Sequence, residues 1–359
     1  MISPFADVSP DAIARAMQPR LEFGHGLLAD ASRNWGRYLL LTMPEPWEAA
    51  EPMLARRPHH LHCVASMDRE EVERVEANLP SSETVVGLGG GTALDMAKYV
   101  AWRRGLEPVL VPSIASVDAC VTNTIAVRDE GRVRYIGFVM PQAVLADLDL
   151  IQNAPPHLNR AGVGDILSIH TALWDWKLAA DRGLITYDED VARHAAELVD
   201  QLEAYAEDVR NVTEGALRWL LQAYAAENAL CLQVGHSRPE EGSEHFFAYN
   251  VEHHTGRGYV HGELVSLGVL LMSRLQGNEP AWVEQILNAT GVRYQPRDLN
   301  MSLAEVKAAL LTLPAYVESE ELPYSVINAR MLDSVSVRDI CRERISYHWP
   351  GSGNPGRAG

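Results

Sequence analysis

Thr84-Val-Val-Gly-Leu-Gly-Gly-Gly-Thr-Ala-Leu-Asp-Met-Ala-Lys98 opens as a strand and closes as a helix, with three consecutive glycines between. The β-branched run from Thr84 suits a buried strand, and Leu94, Ala97 and Val100 recur at helical spacing to pack the following segment onto a sheet. Glycine lets the backbone approach a ligand closely, while the first amides of the helix present donors and a positive dipole end to phosphate. A tight turn without a ligand would use the same glycines, so the flanking strand and helix carry the weight of the phosphate reading.

Outward from this turn, short apolar runs alternate with helical patterns. Tyr38–Thr42, Leu61–Ala65, Thr84–Leu88 and Pro108–Val111 read as strands, with helix-like stretches over 47–57, 68–77 and from the glycines through Trp102. Strict alternation predicts a parallel, Rossmann-like sheet covered by helices. After Pro141 and Asn153-Ala-Pro-Pro156 the pattern turns helical, over 178–182, 190–211, 214–232, 260–275 and 303–311. The expected organisation is an α/β dinucleotide-binding domain over 1–157, an all-helical metal-binding and substrate domain over 158–348, and a disordered Gly/Pro-rich tail over 349–359. The active site is expected in the cleft between the two domains.

A chain of 359 residues exceeds what one core usually serves, in keeping with two domains. The net charge of -17 argues against nucleic acid, whose phosphates need a basic surface. It does not exclude an anionic substrate held by local positive groups. Four widely spaced cysteines form no CxxC pair, which fits reduced thiols in a cytoplasmic protein. The N-terminus has no apolar run of signal-peptide length, and Val265–Met272 is too short to span a bilayer, so no membrane insertion is expected.

Two further groups carry chemistry. The loop Val111-Pro-Ser-Ile-Ala-Ser-Val-Asp118 leaves the fourth strand at its C-terminal end, where open α/β sheets bind ligands, and offers Ser113, Ser116 and Asp118. Serines and an aspartate also cap ordinary loops. Asp165, His245 and His261 each stand near a predicted helix start. Two imidazoles and a carboxylate make a three-ligand set with a position left open, the arrangement of a catalytic metal site. Against this, the chain has thirteen histidines, most of which need no ligand role.

Taken together, GGGTALDMAK (89–98), VPSIASVDA (111–119), GVGDILS (162–168) with TALWDWKLA after it, SRPEEGSEH (237–245), HGE (261–263) and LPYSVIN (322–328) resemble the iron-containing alcohol dehydrogenase and dehydroquinate synthase superfamily. The likeness runs from Phe23 to about Asn328 and is strongest to its sn-glycerol-1-phosphate dehydrogenase branch, with glycerol dehydrogenase close by. The resemblance implies pyrophosphate on Gly89, Gly90, Gly91 and Thr92, and cofactor contacts from Ser113 and Ser116. It also implies substrate contact through Asp118 and a divalent metal on Asp165, His245 and His261. Zinc is the first expectation for that metal, with iron or nickel as alternatives. The sixteen-residue interval between the histidines agrees with the synthase branch. Arg238 matches a position that grips substrate phosphate there, and a guanidinium suits that task.

The chain departs from the pattern at four places. Tyr249 stands where the family often has a second histidine, and is a candidate proton relay or oxygen contact. Thr124 and Ser168 replace the catalytic lysines of the synthase branch, which counts against ring closure. Gly242 replaces an asparagine of that branch. Thr42-Met-Pro-Glu45 stands where NAD-preferring relatives have an aspartate, leaving NAD and NADP both open.

The expected function is therefore metal-dependent, NAD(P)-linked oxidoreduction of a small polyol or phosphorylated ketone, dihydroxyacetone phosphate being the specific expectation. The alternatives are a cyclase or lyase that uses NAD without net turnover, and a degenerate binding protein. A homo-oligomer is left open.

Overall fold

The computed structural model describes residues 8–342, so the expected tail over 349–359 lies outside the described residues. Its centre is a six-stranded, wholly parallel sheet. The strands are β1 (Leu21–Gly24), β2 (Tyr38–Thr42), β3 (His60–Cys63), β4 (Thr84–Gly89), β5 (Val109–Pro112) and β8 (Ala143–Asp147), in the order β1-β8-β5-β4-β2-β3. The hairpin β6 (Ile125–Asp129) and β7 (Arg132–Ile136) pairs antiparallel outside this sheet.

All five residues of β2 are buried, because helices cover both faces of the sheet. The alternation of side chains along a strand divides them between two cores. Leu39, Leu41, Val85 and Leu110 face the helix Gly91–Arg104, in a core continuous with the helices that follow β8. Tyr38, Leu40, Val86 and Val111 point to the opposite face, against Leu28 and Trp35.

From Leu148 onward every regular element of the described residues is helical. The long helices are Val163–Asp181, Glu189–Arg210, Glu214–Val234, Ser243–Thr255, His261–Gln276 and Leu303–Ser319. The segment expected as a helix over 178–182 is the end of Val163–Asp181. That helix is apolar nearly all round, so periodicity did not mark its first turns.

The connections set the ligand crevice. β2 leads outward to β3 and β4 leads the other way to β5, so between β2 and β4 the strand order reverses. Ligands of open α/β sheets bind at such switch points, beyond the carboxyl ends of the strands. Here those ends are Met43 to Glu45 and the glycine turn. Four free cysteines are present, Cys63 exposed and the others buried. Among the described residues no helix is long and apolar enough to cross a membrane.

Candidate active site

A cavity of about 1570 Å³ is lined by Gly90 and Gly91 at the switch point and by Arg238 and His261 from the helical part. At the switch point, Gly89 has φ +151, and a Cβ there would lie 2.8 Å from that of Ala93. A side chain is thus excluded where strand turns into helix. Gly90 caps the helix without a side chain, leaving its first amides for a ligand. Thr92, Ser113 and Ser116 also line the cavity, and the buried Ser113 hydroxyl has no partner. An orphaned hydroxyl beside a glycine cradle fits a dinucleotide. The loop is fixed by Asn159, which accepts the Ala115 amide at 2.9 Å, and by the Tyr224 hydroxyl donating to the Ala115 carbonyl at 3.0 Å.

Asp165, His245 and His261 converge, each offering a ligand atom within 4.8 Å of the others. Asp165 sits in the first turn of Val163–Asp181, His245 in that of Ser243–Thr255, and His261 begins His261–Gln276. His261 Nε2 lies 3.6 Å from Asp165 Oδ1, which is buried without a hydrogen-bond partner. The other Asp165 oxygen accepts the Asp118 amide at 3.1 Å. An orphaned buried carboxylate oxygen facing two imidazoles fits one divalent ion.

The protein orients His245 through a neighbour. His245 Nδ1 donates to Glu244 Oε1 at 3.0 Å, which leaves Nε2 as the ring atom to bind a ligand in place of its proton. Glu244 is itself held by the Gly242 amide at 2.6 Å and the Thr171 hydroxyl at 2.7 Å. Such carboxylate–histidine pairs fix the tautomer of a metal ligand. Burial alone would lower the pKa of His245, but the Glu244 hydrogen bond and charge carry it up to about 9. Burial, followed by the charge of His245, drives His261 down to about 3. Burial and the charge of Asp118 raise Asp165.

Tyr249 lines the cavity with its hydroxyl donating to Glu241 at 2.8 Å and 2.9 Å from that of Tyr135. Burial holds its proton well above the usual range. Arg238 is 2% exposed, donates from Nη2 to the Tyr324 carbonyl at 3.2 Å, and leaves Nε and Nη1 unpartnered. An arginine before a helix, readable as a surface charge, is therefore buried in the cavity wall. His170 stands apart from the site, beside the Asn278 carbonyl and the Trp282 ring.

Several lining residues escaped the sequence reading. Glu227, Glu240 and Glu241 carry carboxylates into the cavity. Lys98 is wholly buried, 2.7 Å from Asp95 and bonded to the Thr122 and Thr124 carbonyls. The hairpin forms one wall and is tied to the helices by Arg128 to Glu252 and by Arg132 and Arg134 to Glu320. The turn residues Glu130 and Gly131, both at positive φ, were its available signal.

The pattern of the family described as iron-containing alcohol dehydrogenase matches residues 48–155. The chain is 32% identical over 249 residues to glycerol-1-phosphate dehydrogenase [NAD(P)+] of Hyperthermus butylicus, covering 69% of this chain and 70% of the relative. It is 31% identical over 274 residues to the enzyme of the same name from Aeropyrum pernix, covering 76% and 77%. The chain belongs to the iron-containing alcohol dehydrogenase family and is an NAD(P)-linked dehydrogenase. Among solved structures, a probable glycerol dehydrogenase from Sinorhizobium meliloti superposes with a TM-score of 0.68 at 22% identity, covering 90% of this chain and 95% of that one. An iron-containing alcohol dehydrogenase superposes at 0.57 with 17% identity, covering 90% and 96%. These likenesses bear on the fold, and the family resemblance of the motifs agrees with it.

Proposed function

We propose that this enzyme interconverts a small phosphorylated ketone and its alcohol, with dihydroxyacetone phosphate and glycerol 1-phosphate as the first pair to test. The observation that carries the reading is the convergence of Asp165, His245 and His261 in the cavity that begins at the glycine turn. Asp165, His245 and His261 would hold a divalent ion, zinc foremost, and Gly89 to Thr92 with Ser113 and Ser116 would hold the dinucleotide. When bound, the ion supplies a Lewis acid and the nicotinamide supplies hydride.

The chain's own groups do the rest. Asp118 stands beside Asp165 and is the candidate to hold or pass the proton of the carbinol oxygen. Burial raises its pKa, which brings the carboxyl nearer the working range of a general acid or base. Tyr249 keeps its proton and serves as an oxygen contact on the hairpin side. Thr124 and Ser168 line the cavity where the synthase branch would need lysines, and the Ser168 hydroxyl donates within reach of either the Asp165 or the Glu240 carbonyl. Neither can carry positive charge, which favours net hydride transfer over ring closure. Glu45 follows β2 at the switch point and also lines the cavity. An acidic group there accepts the ribose 2′-hydroxyl and repels a 2′-phosphate, favouring NADH.

The test is incubation with C4-deuterated cofactor, dihydroxyacetone phosphate and zinc. Deuterium should reach the product carbinol carbon, faster from the NADH form than from the NADPH form. Recovery of unchanged cofactor alongside a cyclic product would replace this reading with the cyclase.

Arg238 supports the phosphorylated substrate: the Asp175, Glu244 and Glu241 carboxylates lie near its charge, yet Nε and Nη1 stay buried without a hydrogen-bond partner, which an anionic substrate group would satisfy. Arg238→Ala should raise KM for the phosphorylated ketone by an amount worth about 2 kcal/mol, and leave glycerol oxidation nearly unchanged. Equal losses with both substrates would make Arg238 a structural residue.

A further inference from the structure

Beside the histidine trio lies a second cluster with different chemistry. Asp118, Glu227 and Glu240 each place a carboxylate oxygen within 4.8 Å of the others, and all three line the cavity. They arrive from separate elements: Asp118 from the short turn Asp118–Cys120, Glu227 from the helix Glu214–Val234, and Glu240 from the loop before Ser243–Thr255.

Glu227 is 1% exposed and neither of its carboxylate oxygens has a hydrogen-bond partner, while Glu240 Oε2 is likewise buried and unpartnered. Buried carboxylates are ordinarily paired or hydrogen-bonded. Among the described residues no ion pair joins any of the three to a cationic side chain. Lys98 is committed to Asp95 and to the Thr122 and Thr124 carbonyls, and His245 to Glu244.

We propose that Asp118, Glu227 and Glu240 form a second divalent-cation site, for a hard ion such as Mg²⁺ or Mn²⁺, next to the Asp165/His245/His261 trio, with Asp118 giving one carboxylate oxygen to the ion and keeping the other for the carbinol proton. The two ligand sets select differently. An all-carboxylate set suits hard ions, whereas two imidazoles and one carboxylate suit zinc, iron or nickel. Three protein oxygens leave further positions of an octahedral ion to water or to oxygens of the substrate. The sites adjoin through Asp118, whose amide donates to Asp165 at 3.1 Å. The inference rests on the cavity being the substrate site. There the second ion supplies the positive charge that a phosphorylated or polyhydroxylated substrate needs in an acidic enclosure.

The full-length protein, loaded with one zinc per chain, is titrated with Mn²⁺ while free Mn²⁺ is followed by its paramagnetic resonance signal. One Mn²⁺ per chain should bind with zinc retained. Glu227→Gln and Glu240→Gln should each weaken Mn²⁺ binding by about tenfold or more with zinc content unchanged. Both variants remove repulsion, so their melting temperatures without Mn²⁺ should not fall below that of the wild type. Absence of Mn²⁺ binding at millimolar concentration, binding that releases an equal amount of zinc, or wild-type binding by both variants would overturn the proposal. If the wild type takes up no zinc yet binds Mn²⁺ in a Glu227-dependent way, the trio assignment fails and this site stands.

Discussion

His261→Ala should lose the ion proposed for the trio and lower turnover by about a thousandfold or more, with the fold retained. The ring lies in the cavity and belongs to neither hydrophobic core, so its removal costs little packing. It begins its helix without serving as the cap, so the helix does not depend on it. Burial keeps the imidazole neutral, which is the form a metal binds. Only Asp165 and His245 then remain of the donor set, too few to hold an ion firmly. Losing a Lewis acid costs several kcal/mol of transition-state stabilisation, and each 1.36 kcal/mol is tenfold in rate. Metal analysis, turnover and thermal melting on the same preparation decide the matter. Normal metal stoichiometry in the variant would sink the assignment of His261.

The sheet was legible where its strands are β-branched or leucine-rich, as in Tyr38–Thr42 and Thr84–Gly89. It was not legible at its other side. β1 is Leu-Glu-Phe-Gly, four half-buried residues at an edge, and β8 is Ala-Val-Leu-Ala-Asp, where alanine dilutes the strand signal. The glycine turn announced itself because its chemistry is local. The trio did not, since Asp165 and His245 are eighty residues apart and nothing in spacing alone brings them together. Residue type and nearness to helix starts suggested the set, and the likeness to a family supported it. Glu227 shows the limit of local reading most sharply. In Ala-Ala-Glu-Asn-Ala it could be any exposed helix position, and only the packing of Glu214–Val234 against the β5 loop turns it inward. Arg238 is the same case with opposite charge.

What brings Asp165 to His261 is a backbone crossing, and Gly262→Ala should destroy it. Gly164 and Gly262 lie next to those two residues, at the starts of Val163–Asp181 and His261–Gln276. A Cβ on Gly164 would stand 2.7 Å from the Gly262 Cα, and one on Gly262 would stand 2.7 Å from the Ala161 carbonyl carbon and 3.0 Å from the Ser116 oxygen. Each of these obstacles is backbone, so no side chain can rotate aside. The helix starts must separate, and they carry Asp165, His261 and the Ser116 loop with them. Overpacking of this kind typically costs about 1–3 kcal/mol, and rigid backbone on both sides places the cost at about 3 kcal/mol or more. A shift of one ångström at the trio also breaks the ligand geometry, so metal content should fall along with the melting temperature. Gly258→Ala is the matched control, because it lies in the segment just before His261, lines the same cavity, and its Cβ would meet nothing within 4 Å. Metal content and melting temperature should be near wild type in Gly258→Ala and both clearly lowered in Gly262→Ala. Full metal occupancy in Gly262→Ala would show that the helix crossing tolerates a methyl group and does not set the distance between Asp165 and His261.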